Sequence, residues 1–312
     1  MVTTMRRLRF WGVIAGGLLL VPGFSPAAGA RQAQEKQIIV TVMNLKTGNP
    51  VTGVTAPALV LKEDGTEREI VKVEPATSPV AVVLLADTTS TFKNNEKELR
   101  DAAQGFITAF MAKNSGSAVA LWQFGGAVQP VTQFLTEAGA LNSEAAKLRP
   151  RDAVLPDATG RAASRDTNED ASSLLDGIVE GSKALAKRSE TRKILVSFNK
   201  ITAEEKSRAQ KPQVVSELQK SGAAWFGATY ADGGTASSMR DSLMAEVLRT
   251  SGGLRLTVQQ AAQLAPAMKA LADMLSTQYV VTYKRASGSP KEVTMEVKGE
   301  GLGAFYSKWA PK

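Results

Sequence analysis

Residues 80–92 read VAVVLLADTTSTF, seven apolar side chains closed by one carboxylate and then four hydroxyls in succession. An unbroken run of valine, leucine and alanine predicts a strand buried on both faces, as in a parallel sheet covered by helices. Similar runs follow as AVALWQF, KILVSFN, AAWFGATY and QYVVTY. Between the first two, Leu99, Ala103, Phe106 and Phe110 fall at spacings of four, three and four, one face of a helix. Further helices fit SLLDGIVEGSKALAK, PQVVSELQKSG, SMRDSLMAEVLRT and AQLAPAMKALADML. Their aromatics and methionines, Phe106 and Met274 among them, are assigned to packing against the sheet. This alternation predicts an α/β fold over residues 78–285, a Rossmann-like, doubly wound, mostly parallel sheet.

The flanks have a different texture. IIVTVMN and LVLKEDGTEREIVKVE are β-rich and broken by Thr47-Gly48-Asn49-Pro50 and by Asp64-Gly65, which read as tight turns. Residues 36–76 are too few to bury a core alone. KEVTMEVKG and LGAFYSKWA, within residues 290–312, are the natural partners, so the two ends should build one small β module. Residues 147–170 lack periodicity and form a long loop.

Residues 1–30 read as a signal peptide. Arg6, Arg7 and Arg9 precede the apolar run from Phe10 to Val21, and Ala28-Gly29-Ala30 supplies small residues for cleavage near Ala30. The expected product is an exported chain, periplasmic or extracellular, with no transmembrane segment. Loss of three arginines leaves 35 basic against 30 acidic residues, a mild excess without a basic run interleaved with aromatics, so no nucleic-acid partner is expected. Of 312 residues, none is Cys and none is His. That excludes disulfides, Ser-His-Asp and Cys-His catalysis, and zinc sites built on those ligands.

Ligands of open parallel sheets bind beyond the carboxyl ends of the strands. The rule gathers Asp87, Thr88, Thr89, Ser90 and Thr91 with Asn199 and Lys200, residues 231–235 and the loop before Ser172. At Asp87 the residues allow a polar turn or a cation site, since hard cations take oxygen ligands.

In order and spacing the chain resembles the von Willebrand factor type A (VWA) domain, and more closely exported VWA-related proteins of acidobacteria. The resemblance is carried by VTGVTAPALVLKEDG, VAVVLLADTTST, AVALWQFGGAVQPVTQF, RKILVSFN, LRTSGGLRLTV and STQYVVTY. It implies a metal-ion-dependent adhesion site, in which Asp-x-Ser-x-Ser, a threonine and a second aspartate surround Mg2+ or Mn2+ and a partner carboxylate completes the shell. Asp87, Thr89 and Thr91 match the first element, with threonine for both serines, and Ser172 takes the threonine position. DGGTASS at 232–238 looks like that second loop but comes too late in the order, so Thr235 is read as a turn or cap. In place of the second aspartate stands Lys200. An ammonium 4 Å from a dication is repelled by about 8 kcal/mol at an effective dielectric near 20. Either Lys200 turns outward and the metal site is weak, or its ammonium replaces the metal and pairs with Asp87; the second is the expectation. Asp166, Glu169 and Asp170 offer a rescue of the metal from the long loop.

The function expected is a non-catalytic, adhesion-type module that binds another protein through Asp87, Thr89, Ser90, Thr91, Ser172, Asn199 and Lys200, with a degenerate metal site and no cofactor. The alternatives are a working divalent-metal site on Asp87, Thr89, Thr91 and Ser172, a structural subunit of an envelope assembly, and a hydrolase with Ser90 or Thr89 activated by Lys200.

Overall fold

The computed structural model describes residues 34–125, 127–151, 172–202, 205–233, 238–285 and 288–311. The signal-peptide reading, the rescue carboxylates and Thr235 lie outside them. In chain order the elements are β1 (Gln34–Asn44), β2 (Leu59–Glu63), β3 (Thr66–Arg68), β4 (Ile70–Pro75), β5 (Val80–Asp87) and α1 (Glu96–Lys113). Then come β6 (Ala118–Phe124), β7 (Gln129–Pro130), α2 (Ala138–Ala145), α3 (Leu174–Ala186), β8 (Arg192–Lys200), α4 (Lys211–Ser221) and β9 (Ala224–Tyr230). The rest are α5 (Ser238–Ser251), β10 (Arg255–Val258), α6 (Leu264–Leu275), β11 (Tyr279–Arg285), β12 (Val293–Val297) and β13 (Leu302–Tyr306).

The central sheet has the order β10-β9-β8-β5-β6-β7, parallel except for the β6–β7 hairpin. All eight residues of β5 are buried, and their alternation explains why. Val80, Val82, Leu84 and Ala86 face a core built with α1 and α6, while Ala81, Val83 and Leu85 face one built with α3, α4 and α5. A strand that must satisfy two apolar layers has no room for the polar alternation of a half-exposed strand. On α1, Leu99, Ala103, Phe106 and Phe110 are all fully buried, and the rings of Phe106 and Phe110 stack 5.4 Å apart.

Two antiparallel sheets flank this layer, β13-β1-β11-β4 and β12-β2-β3. Both ends of the chain contribute, since β1 pairs with β13 and β2 with β12. QYVVTY is the correction. Expected to close the parallel series, it forms β11 between β1 and β4, antiparallel to both. Its run does not distinguish the sheets because β11 is an internal strand there too; on its buried face Val281 and Tyr283 pack with Ile38, Val40, Leu61 and Val293, while on the other face Val280 is half-buried and Lys284 exposed. The last parallel strand is instead β10, four residues that follow Gly252-Gly253. A Cβ on Gly253 would fall on the carbonyl of Trp225, so glycine there lets the chain close β10 against β9.

Glu63 is the notable polar group in this β layer. It is fully buried and accepts from the Tyr283 hydroxyl at 2.6 Å, Arg285 Nε at 2.8 Å, Arg285 Nη2 at 2.6 Å and Arg68 Nε at 3.1 Å. Three donors meet Oε1 and one meets Oε2, so both carboxylate oxygens are served, the condition under which a buried charge is tolerated.

Candidate functional site

The two halves of the central sheet diverge at β5 and β8. From β5 the chain winds outward to β6, and from β8 it winds the other way to β9 and β10. The crevice at such a reversal is the usual ligand site of an open α/β sheet. Asp87 ends β5 and Lys200 ends β8, so the crevice opens between them.

Asp87 is 1% exposed. Its Oδ1 accepts the Thr89 N–H at 3.0 Å, a local turn set by Asp followed by Thr, and its Oδ2 accepts the Lys200 N–H at 3.1 Å across the crevice. Burial pushes this carboxyl above its usual range. The N–H and hydroxyl of Thr89, the Lys200 N–H and the charge of Arg240 oppose that push. Thr89 and Thr91 converge, with their hydroxyl oxygens 2.5 Å apart. Thr88 turns instead to β6, its hydroxyl donating to the Phe124 carbonyl at 3.2 Å. Ser90 opens a six-residue 3-10 helix that leads into α1 and is partly exposed. The loop after β6 presses close behind. A Cβ on Gly125 would lie 2.9 Å from the backbone of Thr88 and Thr89, so only glycine permits this approach.

Lys200 departs from expectation. Its ammonium pairs with Asp232 at 2.7 Å rather than with Asp87, donates to the Thr91 carbonyl at 3.3 Å and sits 5.3 Å from the centre of the Tyr230 ring. The reason is geometric. Its backbone N–H faces Asp87, and its side chain extends to Asp232, which follows Tyr230, the residue paired with Lys200 on β9. Asn199 is buried and faces the same neighbour strand, accepting from the Thr229 hydroxyl at 3.3 Å.

Ser172 is buried beside α3, where its hydroxyl accepts the Leu174 N–H at 3.2 Å and bonds the Glu205 carboxylate. Glu205, with its side chain 1% exposed, also accepts from the Ser207 hydroxyl at 2.5 Å and the Leu175 N–H at 3.5 Å. Burial raises its carboxyl, offset by the Ser207 and Ser172 hydroxyls and then by Arg240. Asp176, in the first turn of α3, fixes this segment by accepting the N–H groups of Arg208 and Ala209.

Arg240 joins the two clusters. It is 3% exposed, donates from Nη2 to the Lys200 carbonyl at 3.2 Å and places Nη1 3.6 Å from Glu205 Oε2. Glu205 and Arg240 are the rim residues that sequence reasoning missed, and Asp232, gathered there with 231–235, was not expected to hold Lys200. Asp232 belongs to the DGG stretch set aside as a turn, and Arg240 stands in a helix that patterning assigned to sheet cover. The one available signal was the position of 231–235 after a parallel strand. For the hydrolase alternative, the Thr89 hydroxyl bonds Thr91 and Asp87, and the Lys200 ammonium is held by Asp232.

No family model and no curated protein sequence matches this chain. Solved structures do. Proximal thread matrix protein 1 of the mussel byssus, in a form described as having a zinc-occupied MIDAS motif, superposes with a TM-score of 0.50 at 12% identity, over 69% of this chain and 50% of that one. A von Willebrand factor type A protein from Catenulispora acidiphila gives 0.47 at 10% identity, over 91% of this chain and 75% of that one. The vWF domain of the pilus tip protein Mfa5 from Porphyromonas gingivalis gives 0.43 at 12% identity, over 64% and 96%. The chain spans about half the length of the mussel protein. Its fold is of the VWA type, a parallel sheet between helical layers with an antiparallel edge hairpin. Among the described residues, no helix is long and apolar enough to cross a membrane.

Proposed function

We propose that the chain is an exported, non-catalytic protein-interaction module whose rim uses cations of its own, Lys200 and Arg240, where VWA adhesion sites use a metal. The observation that carries this reading is the Lys200 ammonium seated between the Thr91 carbonyl and Asp232, at the crevice where Asp87 is buried.

The donor set does not fit a dication. Of the four residues proposed as ligands, Asp87 and the paired Thr89 and Thr91 hydroxyls face the crevice, while Ser172 is engaged with Glu205 and Leu174. One carboxylate and two hydroxyls do not offset the repulsion from an ammonium 3.3 Å from the Thr91 carbonyl and a guanidinium whose field reaches Asp87. A protein partner is recognised through the exchange of carboxylates. Asp232 is one-third exposed and holds the ammonium in the free protein, and a partner Asp or Glu displaces it. The Lys200 amine is engaged by Asp232 and the Thr91 carbonyl rather than by the Ser90 or Thr89 hydroxyl, which argues against the Ser/Thr-Lys hydrolase.

Calorimetric titration of the purified protein with Mg2+ and Mn2+ tests the reading. The expected result is heat no larger than dilution. Micromolar binding that disappears in Asp87→Ala overturns it.

A further inference from the structure

At the other end of the central sheet lies a cleft of about 1030 Å3, bordered by the first residues of β8 and β9. It is as large as a generous ligand pocket. The nine residues of β8 put it roughly 25 Å from the rim, at about 3.3 Å per residue. Its walls carry Lys36, Arg192, Lys193, Lys220, Arg285 and Lys291, and no described Asp or Glu lines it. Arg285 is balanced by buried Glu63 and Lys220 by Glu217. Arg192 is balanced by no carboxylate among the described residues. It is 2% exposed and donates to the carbonyls of Ala76, Ser78 and Leu275 and to Gln278 Oε1, while its Nε has no acceptor. Burial lowers it only to about 10, so it is cationic at neutral pH. A concave wall of one sign concentrates the opposite charge.

The second observation is a strand edge. β11 pairs with β1 from Gln34 to Val40, but on the other side β13 covers only Val40 to Asn44. After Tyr306 the chain leaves β1, and the Lys308 N–H bonds the Thr250 carbonyl. Among the described residues, no strand neighbours residues 34–39 on that side, and Gln34, Gln37, Ile38 and Ile39 line the cleft. An edge of this kind is a template for strand addition.

We propose that this cleft binds an extended acidic segment of a partner protein, added as a strand along residues 34–39 with its carboxylates taken by Lys193, Lys220 and Lys291. Residues 1–33 are excluded as the occupant by charge, since they contain Arg6, Arg7, Arg9 and Arg31 and no acidic residue. A small anion uses the lysines but leaves the strand edge without a role.

Fluorescence anisotropy of the purified protein with a labelled (Glu-Val)5 peptide is the test. Binding is expected to weaken as salt rises and to fall at least tenfold in the Lys220→Glu/Lys291→Glu double variant, both positions being exposed. One of two peptides N-methylated at alternate residues, odd or even, should lose at least tenfold. The proposal is overturned if (Lys-Val)5 binds as well, if the double variant binds normally, or if citrate displaces the peptide and neither N-methylated form is weakened.

Discussion

Lys200 meets Asp87 with its backbone and Asp232 with its side chain: the N–H is 3.1 Å from Asp87 Oδ2 and the ammonium 2.7 Å from Asp232 Oδ2. The two bonds are separable by mutation because only one depends on which side chain occupies position 200. Lys200→Ala keeps the hydrogen bond to Asp87, and the lost pair is partly solvated, so the stability change should stay within about 1 kcal/mol. Lys200→Pro removes the N–H and leaves a buried carboxylate oxygen without its donor, at a cost of about 2 kcal/mol or more. Urea unfolding of both variants checks the order; equal losses would show that the side chain, not the backbone, supports Asp87.

Acid should favour the native state at this site. Burial raises the Asp87 carboxyl above 3.8 and the Glu205 carboxyl above 4.5. Between the unfolded and folded values the native state holds the proton more tightly, so stability contributed by these groups falls as pH rises through that window. On acidification from about pH 7 toward about pH 4, wild type should therefore gain stability relative to Asp87→Asn. Denaturation profiles of the two proteins that run parallel with pH would contradict this.

Truncation of Glu63 removes the acceptor shared by Tyr283, Arg285 and Arg68. Glu63→Ala leaves Arg285 buried without a counter-ion, and the expected loss is about 3–5 kcal/mol. Replacing Glu63, Arg68, Tyr283 and Arg285 together by apolar residues of similar volume should cost much less, which thermal unfolding of the two proteins compares directly.

Gly125→Ala forces a Cβ to within 2.9 Å of the Thr88–Thr89 backbone. The expected loss is roughly 1–3 kcal/mol. Because the displaced atoms include the N–H that serves Asp87, partner binding at the rim should weaken as well. A variant with unchanged stability would mean that the loop after β6 yields instead of the strand end.

Much of the fold was legible because it is written in local patterns. VAVVLLA, AVALWQF, KILVSFN and AAWFGATY each became parallel strands, and the spacing of Leu99, Ala103, Phe106 and Phe110 gave the buried face of α1. QYVVTY was misplaced because a short β-branched and aromatic run suits an internal strand of either sheet, and strand order is a non-local property. β10 was missed because four residues after a Gly-Gly pair carry too little periodicity.

At the site, the sequence by itself determined which groups stand at the strand ends, since residues following parallel strands share one face of the sheet. It determined that the rim has Lys200 where an aspartate is expected, and that histidine and cysteine chemistry is absent. Tertiary structure alone decided which charges meet. Side-chain partners depend on the direction of the Cα–Cβ bond at the end of β8 and on the loop after β9, neither of which residue spacing encodes. That geometry gives the Lys200 ammonium to Asp232, leaves Asp87 to two backbone N–H groups and the Thr89 hydroxyl, and brings Arg240 in from a helix whose sequence looked like simple sheet cover.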